Sequence, residues 1–414
     1  MKILKLSPYY SPERISSSHL TDDLEQGYVD AGFEMEIICP TPTRGVSTEE
    51  REKYKKIKYE ERYGGKIIVR RFSMIREGHN PIGRAFRYVL TNVVQLCKGK
   101  NAKDVDVVMG ASTPPTQGIL CGKVAKTLSK KQGKKVPFIY NLQDVFPDSL
   151  VTAGLAKKGS ILWKIGRRIE NKTYAYADKI IVISEDIKKN ILKKGVPEKK
   201  IVVIGNWIDT DAVHPVDFDS NALAKELGIE DGKFRVVYAG NLGLAQGVDT
   251  LLGAAEILKA NSDVEFLIFG RGAAEEDLKK RGAGLPNVRF FPLQPVERVH
   301  EVYSLGDACA VLCRKGTGGT GLPSKTWSIM ACGRPLLTSF DEGELNKTVL
   351  NASLGLCSPA EDAKSLADNI ELLAEDSHLC MKMGFNAREY ASQNVGKVNA
   401  VANYIQIVKE TIRS

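Results

Sequence analysis

The feature that most constrains this chain is an alternation of strand-like and helix-like segments that runs its full length and starts over once. KILKL (2–6), EMEIICP (34–40), DVVMG (106–110), PFIYNL (137–142) and DKIIVIS (178–184) are short apolar runs, the first two separated by a helical pattern from about Thr21 to Ala31. Such runs between amphipathic helices predict a parallel sheet covered on both faces. The pattern restarts after residue 230 with FRVVYAG, DTLLGAAEILKA, EFLIFG, NVRFF, DACAVLC, SKTWSIMA and RPLLTS. The expectation is an α/β chain of two Rossmann-like domains facing across a cleft, with the ligand site at the C-terminal ends of the strands. GNWIDTDAVHP (205–215) is rich in turn formers and marks the seam, giving domains 1–207 and 208–395. Residues 50–62, dense in Lys, Glu and Arg, are expected to form a solvated loop or short helix.

The length of 414 residues suits two cores, and 43 % hydrophobic with 26 % charged residues excludes disordered, fibrous and disulfide-scaffold classes. MKILKLSPYY lacks the apolar run and cleavage site of a signal peptide, and no segment reaches the ~20 apolar residues of a membrane span. Eight cysteines without C-x-x-C spacing read as reduced core residues of a cytoplasmic protein. Charge is unevenly placed. Residues 1–208 carry 38 Lys and Arg against 22 Asp and Glu, a net +16, whereas residues 209–414 carry 21 against 28, a net −7. A basic half points to an anionic surface as partner. NPIGRAFRYVLTNVVQLCK (80–98) and GSILWKIGRRIENK (159–172) mix apolar and basic residues at helical spacing. They describe equally a helix lying on an anionic membrane and a core helix with a basic outer face. Aromatics are too few, and too poorly interleaved with the basic residues, for nucleic acid to be the expected partner.

The glycine loop KGTGGTGLPSKTWSIMACG (315–333) follows the apolar strand DACAVLC. Gly316, Gly318, Gly319 and Gly321 allow close backbone approach, and Lys325 stands at a helix start, so the loop is a candidate diphosphate cradle. It lacks the order of a Walker loop. AGNLGLAQG (239–247) brings Asn241 and Gln246 to the same end of the sheet, and FGRGAA (269–274), with Gly270, reads as a structural turn whose following acids repel phosphate. In the first half, YNLQDVFPDSL (140–150) carries Gln143, Asp144 and Asp148 into a loop. Asp144 is the candidate to hold hydroxyls, and Asp148 reads equally as a helix cap. SPYYSPERISSSHL offers Arg14, Ser16 and Ser17 on the acceptor side. Three D-x-D triplets, at 104–106, 209–211 and 217–219, fall at a buried strand or in the connection, and the five histidines are scattered, so no metal site is expected.

Together these segments resemble a GT-B glycosyltransferase of family 4. TGLPSKTWSIMACGRPLL is similar to that family's E-G-F-P…E-A-M-A-x-G-x-P-V motif, and GNWIDTDAVHP to its interdomain signature. GNLGLAQGVDTLL, LPSK and QDVFPDSL resemble the branch of L-fucosamine and colanic acid transferases. Thr320 and Ser328 stand where the wider family has two glutamates, Asn241 and Gln246 where it has Arg and Lys, and Gln143 where it has a histidine. The resemblance implies a retaining, metal-independent transfer from a nucleotide sugar, UDP-linked and carrying an amino or deoxy sugar, to a lipid-diphosphate-linked saccharide at the cytoplasmic face of an anionic membrane. O-antigen or other surface polysaccharide is the expected product. It implies a donor site of Asn241, Gln246, Gly270, Gln294, Gly319, Thr320, Gly321, Leu322, Pro323, Ser324 and Ser328, with Lys325, Asp144 and Gln143 at the chemistry. It further implies that helix 396–414 returns to the first domain and couples closure of the cleft. No cofactor is expected beyond the UDP-sugar substrate. A dehydrogenase is disfavoured because Cys39-Pro40-Thr41 ends the second strand where an acid would bind ribose. A sugar-nucleotide epimerase and a non-catalytic sugar-nucleotide-binding paralogue are the alternatives.

Overall fold

A computed structural model describes residues 1–13, 18–77, 81–152, 156–318 and 323–414. The chain divides into two compact units, Met1–Gly205 with Val398–Ser414, and Asn206–Lys397.

The first unit holds an eight-stranded sheet. Its strands are β1 (Lys2–Leu6), β2 (Glu34–Pro40), β3 (Tyr59–Arg62), β4 (Ile67–Phe72), β5 (Val107–Ala111), β6 (Phe138–Leu142), β7 (Lys179–Val182) and β8 (Ile201–Val203). Their order is β3-β4-β2-β1-β5-β6-β7-β8, parallel except for the antiparallel β3–β4 pair, so the order reverses at β1/β5. The charged stretch 50–62 departs from expectation. Helix Thr48–Lys56 uses its first part, and YEER then forms edge strand β3, joined to β4 by Tyr63, Gly64 and Gly65 at positive φ. Its charges hide a strand from pattern reading because an edge strand keeps one side open, and here Glu60 pairs with Arg71 and Arg62 with Glu25. The C-terminal helix Lys397–Arg413 belongs from Val398 onward to this unit and buries Ala400, Tyr404 and Val408. Gly27 faces it, where a Cβ would fall 2.2 Å from Val401.

The second unit has a six-stranded sheet of β9 (Phe234–Asn241), β10 (Val264–Arg271), β11 (Val288–Phe291), β12 (Ala308–Leu312), β13 (Leu336–Phe340) and β14 (Gly355–Pro359). The order β11-β10-β9-β12-β13-β14 is wholly parallel. Alternation along each strand feeds two cores. Val237, Leu267, Phe269, Cys309 and Val311 pack on one face, and Val236, Tyr238, Phe266, Ile268 and Ala310 on the other. The order reverses between β9 and β12, which opens the crevice where doubly wound sheets take ligands.

Six of the cysteines are buried and unpaired, Cys357 is half-buried, and Cys97 is exposed, so the core reading fails for Cys97. Among the described residues no helix is long and apolar enough to cross a membrane.

Candidate active site

In the second unit, β9 and β12 deliver two loops to the point of reversal. The first, Asn241–Gln246, is held from several sides. The Leu242 amide donates to the Arg271 carbonyl (2.9 Å), the Ala274 amide to the Leu242 carbonyl (2.8 Å), and the Arg314 amide to the Ala245 carbonyl (3.1 Å). Arg314 also donates from Nε to the Leu244 carbonyl (3.1 Å) and pairs with Asp249 and Glu361. Gly247, at φ +63°, lies so near the Cys313 carbonyl that a Cβ would come within 2.7 Å of it. Gly270 is equally constrained, since its Cβ would stand 2.3 Å from the Gly240 carbonyl; this glycine shapes the turn. The Asn241 side chain lies over Gly243 and Gly272, while Gln246 is half-buried in its own turn. At the edge strand, Gln294 donates to the Pro292 carbonyl (3.1 Å) and closes its loop.

Lys325 is the central side chain. It opens the helix Lys325–Ala331, and its Nζ lies 3.7 Å from the centre of the Tyr238 ring, beside Gly240. The Tyr238 hydroxyl donates to the Asn241 carbonyl (2.8 Å), which leaves the ring face to the ammonium. That ammonium is buried and has no hydrogen-bond acceptor among the described residues. Desolvation lowers it from the usual lysine range to about 7. A buried cation seated on a ring face is a strong anion receptor.

Part of the glycine loop serves a different purpose from the one expected. The Gly316 amide donates to Asp341 Oδ1 (3.0 Å) and the Gly318 amide to Asp341 Oδ2 (2.9 Å), so neither faces a ligand. Gly319, Thr320, Gly321 and Leu322 lie outside the described residues. Beyond them, Pro323 and Ser324 lead into the lysine's helix, their carbonyls accepting from the Thr326 and Trp327 amides. Ser324 is exposed, and Ser328 lies one turn on from Lys325.

In the first unit, Gln143 and Asp144 follow β6 and are fixed together. Both of their amides donate to Ser112 Oγ (3.2 and 3.3 Å), and Gln143 Nε2 donates to Asn141 Oδ1 (2.8 Å). Desolvation raises the Asp144 carboxyl above the usual carboxylate range. Asp148 is engaged by Lys194 (2.8 Å) and Asn190 (3.0 Å). Arg14, Ser16 and Ser17 lie outside the described residues. Glu13 beside them is buried and accepts from the amides of Tyr10, Thr43 and Arg44, which ties together the loops after β1 and β2. One acid in each of the first two D-x-D triplets is also occupied. Asp106 holds the Lys2 amide and Lys134, and Asp209 holds Lys397 and the amides of Asp211 and Ala212.

Sequence reasoning missed Asp341, Ser112, Glu13 and Arg314. Asp341 and Ser112 each follow the C-terminal end of an apolar strand, RPLLTSF and DVVMGA, and that position was the available signal.

Two family models match this chain: Glycosyltransferase Family 4 over residues 18–212 and Glycosyl transferases group 1 over residues 219–390. The chain is a GT-B glycosyltransferase. Over 421 aligned residues the enzyme is 25 % identical to the glycosyl transferase WcaI of Escherichia coli K12, named for colanic acid biosynthesis, with 99 % of this chain and 100 % of the relative covered. It is 24 % identical to the N,N'-diacetylbacillosaminyl-diphospho-undecaprenol alpha-1,3-N-acetylgalactosaminyltransferase of Campylobacter jejuni, covering 85 % and 87 % of the two chains. Among solved structures, HepE of Anabaena in complex with UDP-glucose superposes with a TM-score of 0.70 at 16 % identity, covering 100 % and 99 %. This glycosyltransferase thus shares its fold with sugar-transferring enzymes while carrying neutral Asn241 and Gln246 on the loop after β9 and a buried lysine on the helix after β12.

Proposed function

We propose that the enzyme moves an amino or deoxy sugar from a UDP-sugar to a lipid-diphosphate-linked saccharide, with retention of anomeric configuration, in surface polysaccharide or O-antigen synthesis. The second unit is the donor domain and the first the acceptor domain. The observation that carries this reading is the buried Nζ of Lys325 at the β9/β12 reversal, without an acceptor among the described residues. When the bond from the sugar's anomeric carbon to the diphosphate breaks, negative charge grows on the departing oxygen. A charge already held in a dry site stabilises it without reorganisation. The acceptor hydroxyl forms the new bond to that carbon as the old one breaks and passes its proton to the departing diphosphate oxygen, and Asp144 orients the hydroxyls from its place beside Gln143. In this reading the ammonium supplies the neutralising charge, and no metal is required. Support for the donor comes from the UDP-glucose complex of HepE, and for the acceptor from the diphospho-undecaprenol in the name of the Campylobacter relative.

The acceptor's lipid suggests where the enzyme works. Helix Pro81–Gly99 exposes Phe86, Val89 and Val93 (57 %, 59 % and 53 %) while burying Arg87, Thr91 and Gln95. Helix Ile161–Tyr176 exposes Ile161, Leu162 and Ile165 among exposed Lys164 and Arg168. The helix Gln117–Gln132 packs against both, so the two lie on one face of the unit. Apolar residues flanked by basic ones suit an anionic bilayer, here the inner face of the cell membrane.

The test is a melting scan with UDP, GDP, ADP, CMP and NAD, each with and without EDTA. UDP at ~100 times its dissociation constant should add roughly 2.7 kcal/mol of stability. The shift should survive EDTA and be lost in Lys325→Met. Stabilisation by UDP that disappears with EDTA overturns the metal-free reading, and no response to any nucleotide overturns the donor assignment. Release of free UDP only when a lipid-linked saccharide is added separates transfer from epimerisation and from silent binding.

A further inference from the structure

The carboxylate of Asp341 occupies a place the sequence had reserved for a ligand. The residue follows β13, and its two oxygens take the amides of Gly316 (3.0 Å) and Gly318 (2.9 Å), one oxygen each. The loop is shaped for this contact. Gly316 sits at φ +84°, a conformation that side chains disfavour, and turns its amide inward. At Gly318 a Cβ would fall 2.7 Å from the Phe340 ring, so the backbone is pressed onto the end of β13. Between them, the Thr317 amide (3.0 Å) and hydroxyl (2.7 Å) both donate to the Arg314 carbonyl. From the other side, Asn346 Nδ2 donates to the carbonyls of Phe340 and Asp341 (3.3 Å each), which holds the strand end that presents the carboxylate.

Backbone amides that converge on one point form an anion-binding concavity, and here, with Gly316 and Gly318 converging from either side of Thr317, the anion is built in. We propose that Asp341 is a positioning residue for the donor, an internal anion that fixes Gly316–Gly318 beside Arg314, the residue that holds the Asn241–Gln246 loop of the donor site. This rests on the donor-site reading given above. Two consequences follow from the geometry. The diphosphate is left to Lys325, because the amides of Gly316 and Gly318 are already satisfied. Removing the carboxylate orphans two inward amides and frees the loop to rearrange, so the loss falls on donor affinity and spares the acceptor.

The test uses the full-length enzyme and Asp341→Ala, Asp341→Asn and Lys325→Met. Titration with UDP and steady-state kinetics with the donor are the readouts. Asp341→Ala should weaken UDP and raise the donor KM by tenfold or more, with kcat changed less than threefold and the acceptor KM unchanged. Asp341→Asn, whose single amide oxygen replaces two carboxylate oxygens, should fall between Ala and wild type, and it carries the test alone if the alanine variant does not fold. Added formate should restore UDP affinity to Asp341→Ala and leave Lys325→Met unaffected, a response that general destabilisation would not give. A folded Asp341→Ala, or in its place a folded Asp341→Asn, that binds UDP as wild type does overturns the proposal while the donor reading stands. Wild-type enzyme that binds no UDP overturns both.

Discussion

Lys325 is held in a state that costs stability until a ligand arrives, and the cost has a definite pH dependence. Burial lowers the folded-state value to about 7 from an ordinary 10.5. Below pH 7 the lysine is charged in both folded and unfolded chains, and the whole desolvation penalty is present. Between pH 7 and 10.5 the unfolded chain binds more protons, so stability rises with pH and the penalty fades. Lys325→Met should therefore stabilise the ligand-free enzyme by about 2 kcal/mol or more at pH 6, and the difference should shrink toward pH 10, as denaturant melts at both pH values would read. UDP-glucose, whose diphosphate does not titrate near neutrality, should draw a proton onto Lys325 at pH 8. Calorimetry in buffers of different ionisation heat should show uptake of up to one proton in wild type and none in Lys325→Arg, which is always charged. At this scale the sequence was only partly legible. Lys325 stood out because a glycine loop precedes it and a helix follows. Its support by Tyr238, 87 residues earlier, and the use of Gly316 and Gly318 by Asp341 depend on strands meeting in the sheet, which no local pattern records.

At the scale of the element, helix Pro81–Gly99 shows how periodicity can be right and its meaning inverted. The 3.6-residue pattern is present, yet the polar stripe is the one that is buried. The reason lies in the strands beneath. Near the point where the strand order reverses, carbonyls at the ends of β1 and β2 take side-chain donors from the helices above them. Gln95 Nε2 supplies donors to Ser7 (2.8 Å) and Ile38 (2.9 Å), Gln117 does the same for Leu6 (2.9 Å), and Arg87 donates to Thr43 Oγ1 (3.0 Å). Gln95→Leu should thus destabilise the enzyme by about 2 kcal/mol despite adding an apolar group to a buried site, because the Ser7 carbonyl loses its donor and the Gln117 side chain loses the Gln95 acceptor (3.1 Å). The double variant Phe86→Asp, Val89→Asp should leave the melting temperature within a degree or two and reduce flotation with anionic vesicles at low salt several-fold. Vesicle recovery equal to wild type would remove this helix from the membrane face. The strand β3 teaches the same lesson from the other side, since charged edge positions conceal a strand that an apolar run would have announced.

At the scale of the whole molecule, the doubled βα pattern made both sheets legible, because each buried strand must be apolar on two faces. The placement of the last helix was not legible in that way. Nothing in VNAVANYIQIVKETIR names the surface it covers, and its partners, Gly27, Tyr28 and Asn141, are more than 250 residues away. Its position links the chain's end to the first unit's candidate site. The Tyr404 hydroxyl is hydrogen-bonded with Asn141, and Asn141 Oδ1 accepts from Gln143 Nε2, next to Asp144. Replacing Tyr404 by Phe keeps the ring among its neighbours and removes only the hydroxyl, so stability should fall by about 1 kcal/mol. Asn141 is then free to turn, and Gln143 loses a fixed partner. The expected result is a higher acceptor KM with UDP affinity unchanged, because Lys325 and its loops belong to the other unit. Gly27→Leu, which drives a side chain into Val401, should instead displace the helix and destabilise the first unit; hydrogen exchange should rise along β1, β6 and residues 398–413, with protection of β9 and β12 retained. A Tyr404→Phe enzyme with an unchanged acceptor KM would show that the helix supports the fold alone, whereas a selective rise makes the chain's last turns part of the acceptor machinery.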